Sequence, residues 1–229
     1  MNSKLSIHTF AKGILNSYSQ VFFSDNRVFS IILFIVSFID PGTGLGGLVS
    51  VILTNLMARY IGFNCLEIEK GLFGFNSLLV GLGLGYFFKT SFELFIIIII
   101  ASVFTLFLVT FFKGILLKYG LPYLSLPFIF GIWIILLSSK YLNALGVAER
   151  GIYALNNLYD VGGALFVDLY EAINKINISE SFNIYLSSMG AIFFQFNLLS
   201  GILISIGLLF YSRIAFVLSI YGFYTAYYF

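Results

Sequence analysis

Charged residues are scarce in this chain of 229 residues. Only 10% are Asp, Glu, Lys or Arg, 60% are hydrophobic, and the mean hydropathy is +1.01. A soluble domain usually has about 25% charged and 45–50% apolar residues. The composition therefore predicts an all-α integral membrane protein. The net charge is only +2 and the basic residues are scattered, so we expect no nucleic-acid partner.

Reactive side chains are equally few. The single Cys65 excludes an internal disulfide and a cysteine metal cluster, and the single His8 is interpreted as a polar residue at a membrane surface. The deep segments contain no carboxylate pair for acid–base chemistry and none of the common hydrolase or nucleotide motifs. We expect no enzymatic activity, no cofactor and no metal. A path through such segments suits an uncharged solute better than an ion.

Long stretches without ionisable residues divide the chain. They are 28–39, 41–58, 71–88, 94–112, 119–139, 181–212 and 214–229. A membrane-spanning helix needs about 20 apolar residues, and 94–112 meets that length by itself. The stretch 28–39 is short for a span. No soluble domain fits between these segments, so the sequence predicts a multi-pass protein.

Two stretches are predicted to be broken helices. One is the mixed polar and apolar opening, about 8–25, and the other is KGILLKYGLPYLSLPF, 113–128. In the second, Gly120 and Pro122 end one helix and Pro127 suits the first turn of the next. Breaks inside a bilayer are tolerated only where they are buried in protein or line a polar cavity. Paired broken helices are typical of transport sites.

The glycines of GLGLG, 81–85, do not form a nucleotide-binding fingerprint, because they lie inside an apolar run. Gly81 and Gly85 are four residues apart, as are Gly42 and Gly46. This spacing is typical of close helix–helix contact in membranes.

The stretch GLFGFNSLLVG, 71–81, is predicted to open a helix at the membrane surface. Phe75 and Leu79 are four residues apart and share one helix face. Asn76 lies on another face and needs hydrogen-bond partners if it is buried.

The region 140–182 is richer in charge than the rest and is interpreted as a connection between two membrane repeats. The first repeat covers 1–139, and 183–229 is the beginning of the second. Within the connection, apolar residues at helical spacing predict an amphipathic helix that lies at the interface or covers the bundle. They are Leu165, Leu169, Ile173 and Ile176.

A weak internal repeat supports this division. FFSDNRVFSIILFIVSF, from Phe22, aligns with FFQFNLLSGILISIGLL, from Phe193. Both copies have two adjacent phenylalanines followed by an Asn, which is Asn26 in the first and Asn197 in the second. Internal repeats of opposite orientation are common in transporters.

Three motifs carry a resemblance to a known family. They are SQVFFSDN at 19–26, GLFGFNSLLVGLGLG at 71–85 and LPYLSLPF at 121–128. In this order they resemble the motifs of the urea transporters. The resemblance covers nearly all of 17–137 and, more faintly, 185–211.

The resemblance implies two homologous, oppositely oriented halves around a pore, with a pore-lining half-helix in each half. It implies a homotrimer, with urea as the solute and the lipid bilayer as the other partner. The low charge and the richness in Ile, Phe and Asn suit a bacterial-type inner membrane, which we expect as the location. Conduction would be passive and channel-like, through a slot with aromatic walls and oxygen-lined edges. No cofactor is implied.

The same resemblance assigns roles in the first half. Gln20 would offer its amide at the mouth of the slot, with Val21 and Phe23 on the wall beside it. Phe75 and Leu79 would form the apolar face deeper in.

Ser125, where the family usually has Thr, would supply a hydroxyl in the middle of the pore. Ile192 and Phe194 would be the second-half counterparts of Val21 and Phe23. Ala191 stands where the family often has Glu or Gln, so one acceptor at the mouth is missing.

No second GLxGFN or LTxPF motif follows Asn197. We therefore expect the second repeat to be incomplete in this chain, either because the chain is a fragment or because a partner subunit completes the pore. Two alternative functions stay open at this point. One is a channel for another small neutral solute, such as a short amide, ammonia or water, and the other is a non-conducting membrane sensor or anchor.

Overall fold

The structure is a computed structural model that describes residues 7–139, 141, 145–148, 154–175 and 179–229. The chain divides into two compact units. The first unit contains residues 1–25 and 42–148, and the second contains 26–41 and 149–229. Within the described ranges the regular structure is helical, apart from one isolated antiparallel bridge between Phe88 and Val147.

The helices of the first unit are α1, α3, α4, α5, α6 and α7. Their bounds are Ile7–Gln20, Pro41–Ile61, Cys65–Glu69, Gly74–Phe87, Phe92–Leu116 and Leu126–Ser139. A short 3₁₀ helix, Leu117–Tyr119, follows α6. Ser91 begins α6, because its side chain accepts a hydrogen bond from the N–H of Leu94 at 3.2 Å.

Helix α5 lies against α3 at very short range. An added Cβ on Gly46 would lie 2.5 Å from the carbonyl oxygen of Gly81, and one on Gly85 would lie 2.5 Å from that of Gly42. Both distances are far below a van der Waals contact, so only glycine fits at these positions. The predicted small-residue contact is confirmed.

Two ion pairs join α4 to its neighbours at one end of the first unit. Lys12 of α1 pairs with Glu69, and Lys113 of α6 pairs with Glu67. The Lys113 ammonium also lies 5.2 Å from the ring centre of Phe73, within the range of a cation–π interaction.

The second unit contains α2, α8, α9, α10 and α11. Their bounds are Arg27–Ser37, Ala154–Lys175, Glu180–Ala191, Leu198–Tyr211 and Arg213–Tyr228. Helix α2 packs on α10, where the rings of Phe29 and Tyr211 stack with centroids 5.7 Å apart. Gly201 lies against the backbone of Leu186, which lets α9 and α10 approach closely. None of the residues of α11 is buried.

The predicted amphipathic helix corresponds to α8, which is kinked at Gly163 (φ +63°). Leu165 and Leu169 are 69% and 44% exposed, as expected if this apolar stripe meets lipid or another surface. Ile176, the last member of the predicted stripe, lies outside the described residues.

The apolar stretches identified in the sequence fold as helices. The break predicted after α6 is confirmed, because Gly120 adopts φ +68° and α7 begins only at Leu126. The break predicted within 8–25 lies at the end of that stretch, since α1 is continuous as far as Gln20. Two helices, Pro41–Ile61 and Phe92–Leu116 with its 3₁₀ extension, are long and apolar enough to cross a membrane.

Candidate functional site

Helix α1 ends in a turn that holds Phe23 in a left-handed conformation. The N–H of Phe23 donates to the carbonyl of Gln20 at 3.0 Å, and the N–H of Ser24 donates to that of Ser19 at 3.1 Å. This pair of bonds is a Schellman motif, in which the left-handed residue is usually glycine. Phe23 takes that place with φ +54°, and its side chain is 63% exposed. A residue with a Cβ loses about 1–2 kcal/mol in this conformation.

The same turn follows α9 in the second unit. The N–H of Phe194 donates to the carbonyl of Ala191 at 2.9 Å, and the N–H of Gln195 donates to that of Gly190 at 3.1 Å. Phe194 has φ +57° and is half-buried, while Ile192 is 38% exposed. The internal repeat is therefore a repeat of backbone conformation, with an aromatic residue where glycine is usual.

The asparagine of each repeat begins the next helix. Asn26 accepts from the N–H of Phe29 at 3.1 Å at the start of α2, and Asn197 accepts from that of Ser200 at 2.8 Å at the start of α10. Each copy thus ends one helix with a left-handed Phe and opens another with a capping Asn.

The structure brings Gln20, Val21 and Phe23 together at the end of α1. Gln20 is only 8% exposed, and its Nε2 donates to Oδ1 of Asp25 at 2.8 Å. Val21 is half-buried beside it. The role of Asp25 in holding this amide was not predicted from the sequence.

Phe75 and Leu79 lie on one face of α5, and each is 5% exposed. The Phe75 ring stacks on Tyr123, with centroids 6.2 Å apart and an interplanar angle of 26°. The Tyr123 hydroxyl donates to the carbonyl of Leu72 at 2.9 Å. Sequence reasoning missed Tyr123, although a tyrosine beside a helix break needs a partner for its hydroxyl when buried.

Asn76 bridges α5 and the chain break before α7. Its side chain is fully buried, with Nδ2 donating to the carbonyl of Leu124 at 3.1 Å and Oδ1 accepting from the N–H of Phe128 at 3.1 Å. Leu124 is left-handed, with φ +46°. The predicted need of Asn76 for partners is confirmed, and its amide fixes the backbone on both sides of Ser125.

Ser125 is half-buried and directly precedes α7, and its carbonyl accepts from the N–H of Ile129 in that helix at 3.1 Å. Its hydroxyl makes no hydrogen bond within the described ranges. Other deep hydroxyls, at Thr54, Ser77 and Ser102, are hydrogen-bonded to one another or to backbone. Among the described residues, no group of three or more His, Cys, Asp or Glu side chains could hold a metal ion.

A close contact between α1 and α5 joins the two parts of the candidate site in the first unit. An added Cβ on Gly74 would lie 3.0 Å from the Cβ of Ser17. The end of α1 therefore belongs to the same packed unit as Phe75 and Ser125. The two second-half candidates, Ile192 and Phe194, belong to the second unit.

Comparison with known proteins identifies the family. No curated protein matches the chain significantly. A family model for urea transporters matches residues 11–229, which is nearly the whole sequence. The chain therefore belongs to the urea transporter family, a family of membrane-embedded transporters rather than enzymes, whose substrate is urea.

Proposed function

We propose that this chain conducts urea passively, as a channel, through a slot with aromatic walls and oxygen-lined edges. The observation that carries the proposal is the pair of helix-ending turns, each with a phenylalanine in the left-handed place of a glycine. Strained backbone of this kind persists where the surrounding structure and a function require it. The proposed lining residues are Gln20, Val21, Phe23, Phe75, Leu79, Ser125, Ile192 and Phe194.

The chemistry of urea suits these groups. Urea is flat, uncharged and rich in N–H donors, and moving an amide-like group out of water without replacing its hydrogen bonds costs about 2–7 kcal/mol. The Ser125 hydroxyl, which has no hydrogen-bond partner among the described residues, and the carbonyls at the ends of broken helices can accept those hydrogens. A planar molecule fits between phenylalanine rings. A hydrated ion is excluded, because the rings have no groups that replace its water.

We propose further that the two turns belong to halves of opposite membrane orientation and that the protein forms a homotrimer in the inner membrane. The shared backbone geometry of the two turns supports the repeat. Opposite orientation and the trimer rest on the resemblance to the family.

The proposal is tested by stopped-flow urea flux in proteoliposomes that contain the full chain. Ser125→Ala should slow urea flux about two- to tenfold, because it removes an acceptor whose hydrogen bond contributes about 0.5–1.5 kcal/mol. Ser138→Ala is the matched control, because it removes an exposed hydroxyl of α7 that donates to the carbonyl of Ile134. Wild-type flux in a folded Ser125→Ala protein would remove Ser125 from the site.

A second variant tests the aromatic wall of the proposed slot. Phe75→Ala should widen the slot and reduce the preference for urea over larger amides, with a loss of about 3–5 kcal/mol of stability because the ring is buried. Folding is therefore checked by circular dichroism before flux is measured. Equal flux of urea and acetamide in the wild-type protein would instead indicate a channel for small neutral solutes, and no flux of either would contradict conduction by this chain.

A further inference from the structure

A cluster of four buried hydroxyls lies at the junction of three helices in the first unit. Thr54 and Ser50 come from α3, Ser77 from α5 and Ser102 from α6, and each is fully buried. We propose that this hydroxyl cluster determines solute specificity without touching the solute, by fixing the rotation of α5. The inference rests on the proposed function, because it concerns the slot that Phe75 and Leu79 would line.

The hydrogen bonds of the hydroxyl cluster form a continuous chain. The Thr54 and Ser77 oxygens are 2.5 Å apart, those of Ser77 and Ser50 are 2.8 Å apart, and those of Ser50 and Ser102 are 2.9 Å apart. Ser102 then donates to the carbonyl of Ile98 at 2.6 Å. Each hydroxyl carries one proton, so one order satisfies every contact between two hydroxyls, and Ser50 Oγ also lies 2.7 Å from the carbonyl oxygen of Ser77. Thr54 donates to Ser77, Ser77 to Ser50, Ser50 to Ser102, and Ser102 to backbone.

This order uses the proton of every hydroxyl inside the protein. All four side chains are also fully buried, so neither their protons nor their lone pairs are exposed to a passing solute. The members of the hydroxyl cluster are positioning residues, in contrast to Ser125, whose hydroxyl stays open within the described ranges.

The position of Ser77 on α5 explains how the cluster reaches the slot. Ser77 is two residues from Phe75 and two from Leu79, so at about 100° per residue it lies on nearly the opposite side of the helix. A rotation of α5 that moves Ser77 moves both wall residues by the same angle. Binding sites lose function when their groups shift by more than about 0.5 Å, so this rotation must be held closely.

The neighbouring glycine contacts cannot hold that rotation alone. Gly46 with Gly81 and Gly42 with Gly85 let α3 and α5 approach, but glycine has no side chain that interlocks with a neighbour. Hydrogen bonds are directional and lose strength as their angle departs from linear. The glycines set the distance between the helices, and the hydroxyl cluster holds the angle on the side of α5 that faces α3 and α6, while the Asn76 amide holds α5 to the chain near α7.

The test is a pair of substitutions at Thr54. Thr54→Val has nearly the same shape but no hydroxyl, and Thr54→Ser keeps the hydroxyl. Both are reconstituted as the full chain in proteoliposomes, and the permeabilities to urea and N-methylurea are measured by stopped flow. We expect Thr54→Val to raise the ratio of N-methylurea to urea permeability about threefold or more, since a close-fitting apolar pocket discriminates one methyl group by 10-fold or more. Thr54→Ser should restore the ratio.

The outcomes separate this inference from the proposed function. If the wild-type protein conducts urea and Thr54→Val lowers only the thermal midpoint, with an unchanged ratio, the hydroxyl cluster is structural and the inference is wrong. If the wild-type protein conducts no urea, the proposed function fails, and the inference fails with it. If Thr54→Val does not fold, the same permeability ratio is measured for Ser77→Ala, which removes another hydroxyl of the cluster. Ser138→Ala is again the control.

Discussion

The turns that follow α1 and α9 share one backbone conformation but differ in the side chains that support it. In the first, Gln20 donates to Asp25 within the turn, and Phe23 is largely exposed. In the second, Ala191 has no such group, and the buried Gln195 donates to the carbonyl of Ser37 at 3.1 Å. Hydrogen bonds along the backbone define the turn in both cases, so the side chains around it are free to differ.

The two turns therefore keep one backbone geometry while the side chains beside them change. The left-handed Phe and the capping Asn recur because the chain must end one helix and open the next. The amide at Gln20 does not recur, so only the first turn offers a carboxamide there. We therefore expect the two turns to respond differently to matched substitutions.

Among the substitutions that compare the two units, the largest effect is expected at Asn76, the carboxamide that supports the first unit. Asn76→Leu leaves the Leu124 carbonyl and the Phe128 N–H without their partner, and each buried unpaired group costs about 1–3 kcal/mol. We expect the free energy of unfolding to fall by about 2–4 kcal/mol and urea flux to be lost. Denaturation in detergent and proteoliposome flux measure the two effects. Asn64→Ala, at the exposed N-cap of α4, is the control, and an equal loss there would contradict the bridging role.

A smaller effect is expected at Gln195, the buried carboxamide of the second unit. Gln195→Leu removes one hydrogen bond instead of two and leaves one carbonyl, that of Ser37, unpaired. The free energy of unfolding should fall by about 1–3 kcal/mol, again measured by denaturation in detergent. A loss as large as that of Asn76→Leu would show that the two units depend equally on their carboxamides.

The strained phenylalanines should respond in opposite ways. Phe23→Gly relieves the left-handed strain and loses little packing, so the free energy of unfolding should rise by about 1 kcal/mol. Phe194→Gly relieves the same strain but also removes a half-buried ring, so its net change should be near zero. Thermal unfolding followed by circular dichroism measures both. Equal destabilisation by the two substitutions would mean that neither turn is strained.

The smallest effect is expected from exchanging the residues at Gln20 and Ala191. Gln20→Ala should reduce urea flux about two- to fivefold, in line with the loss of one hydrogen-bonding group. Ala191→Gln should change the free energy of unfolding by no more than about 0.5 kcal/mol, as is usual for a site outside the core. The concentration dependence of flux is measured for Gln20→Ala, and denaturation in detergent is measured for Ala191→Gln. An unchanged profile for Gln20→Ala would remove Gln20 from the mouth of the slot.

Sequence patterns predicted much of the fold. The apolar stretches become helices, Gly120 ends one of them, and the Gly81 and Gly42 contacts form where the spacing indicated. The resemblance carried by the GFN and LPF motifs is confirmed by the family match. These features are local, or depend on residues four positions apart, so one sequence is enough to read them.

Other features depend on distant parts of the chain. Asn76 bonds atoms near residue 124, and Thr54 bonds Ser77, but no local pattern pairs them. The assignment of α2 to the second compact unit also goes beyond the sequence, which places 28–39 in the first repeat.

The sequence by itself determined that this chain is an apolar, helical member of a membrane-transporter family, because composition and short motifs report class and lineage. The tertiary structure alone shows which of the polar side chains are hydrogen-bonded across helices. Thr54, Ser77 and Ser125 look alike in sequence, but the first two are hydrogen-bonded to other helices, and the third makes no side-chain hydrogen bond within the part of the chain that the structure describes. A buried hydroxyl is hydrogen-bonded only where a neighbouring helix places a donor or acceptor beside it. The packing of the helices therefore decides which hydroxyls are bonded.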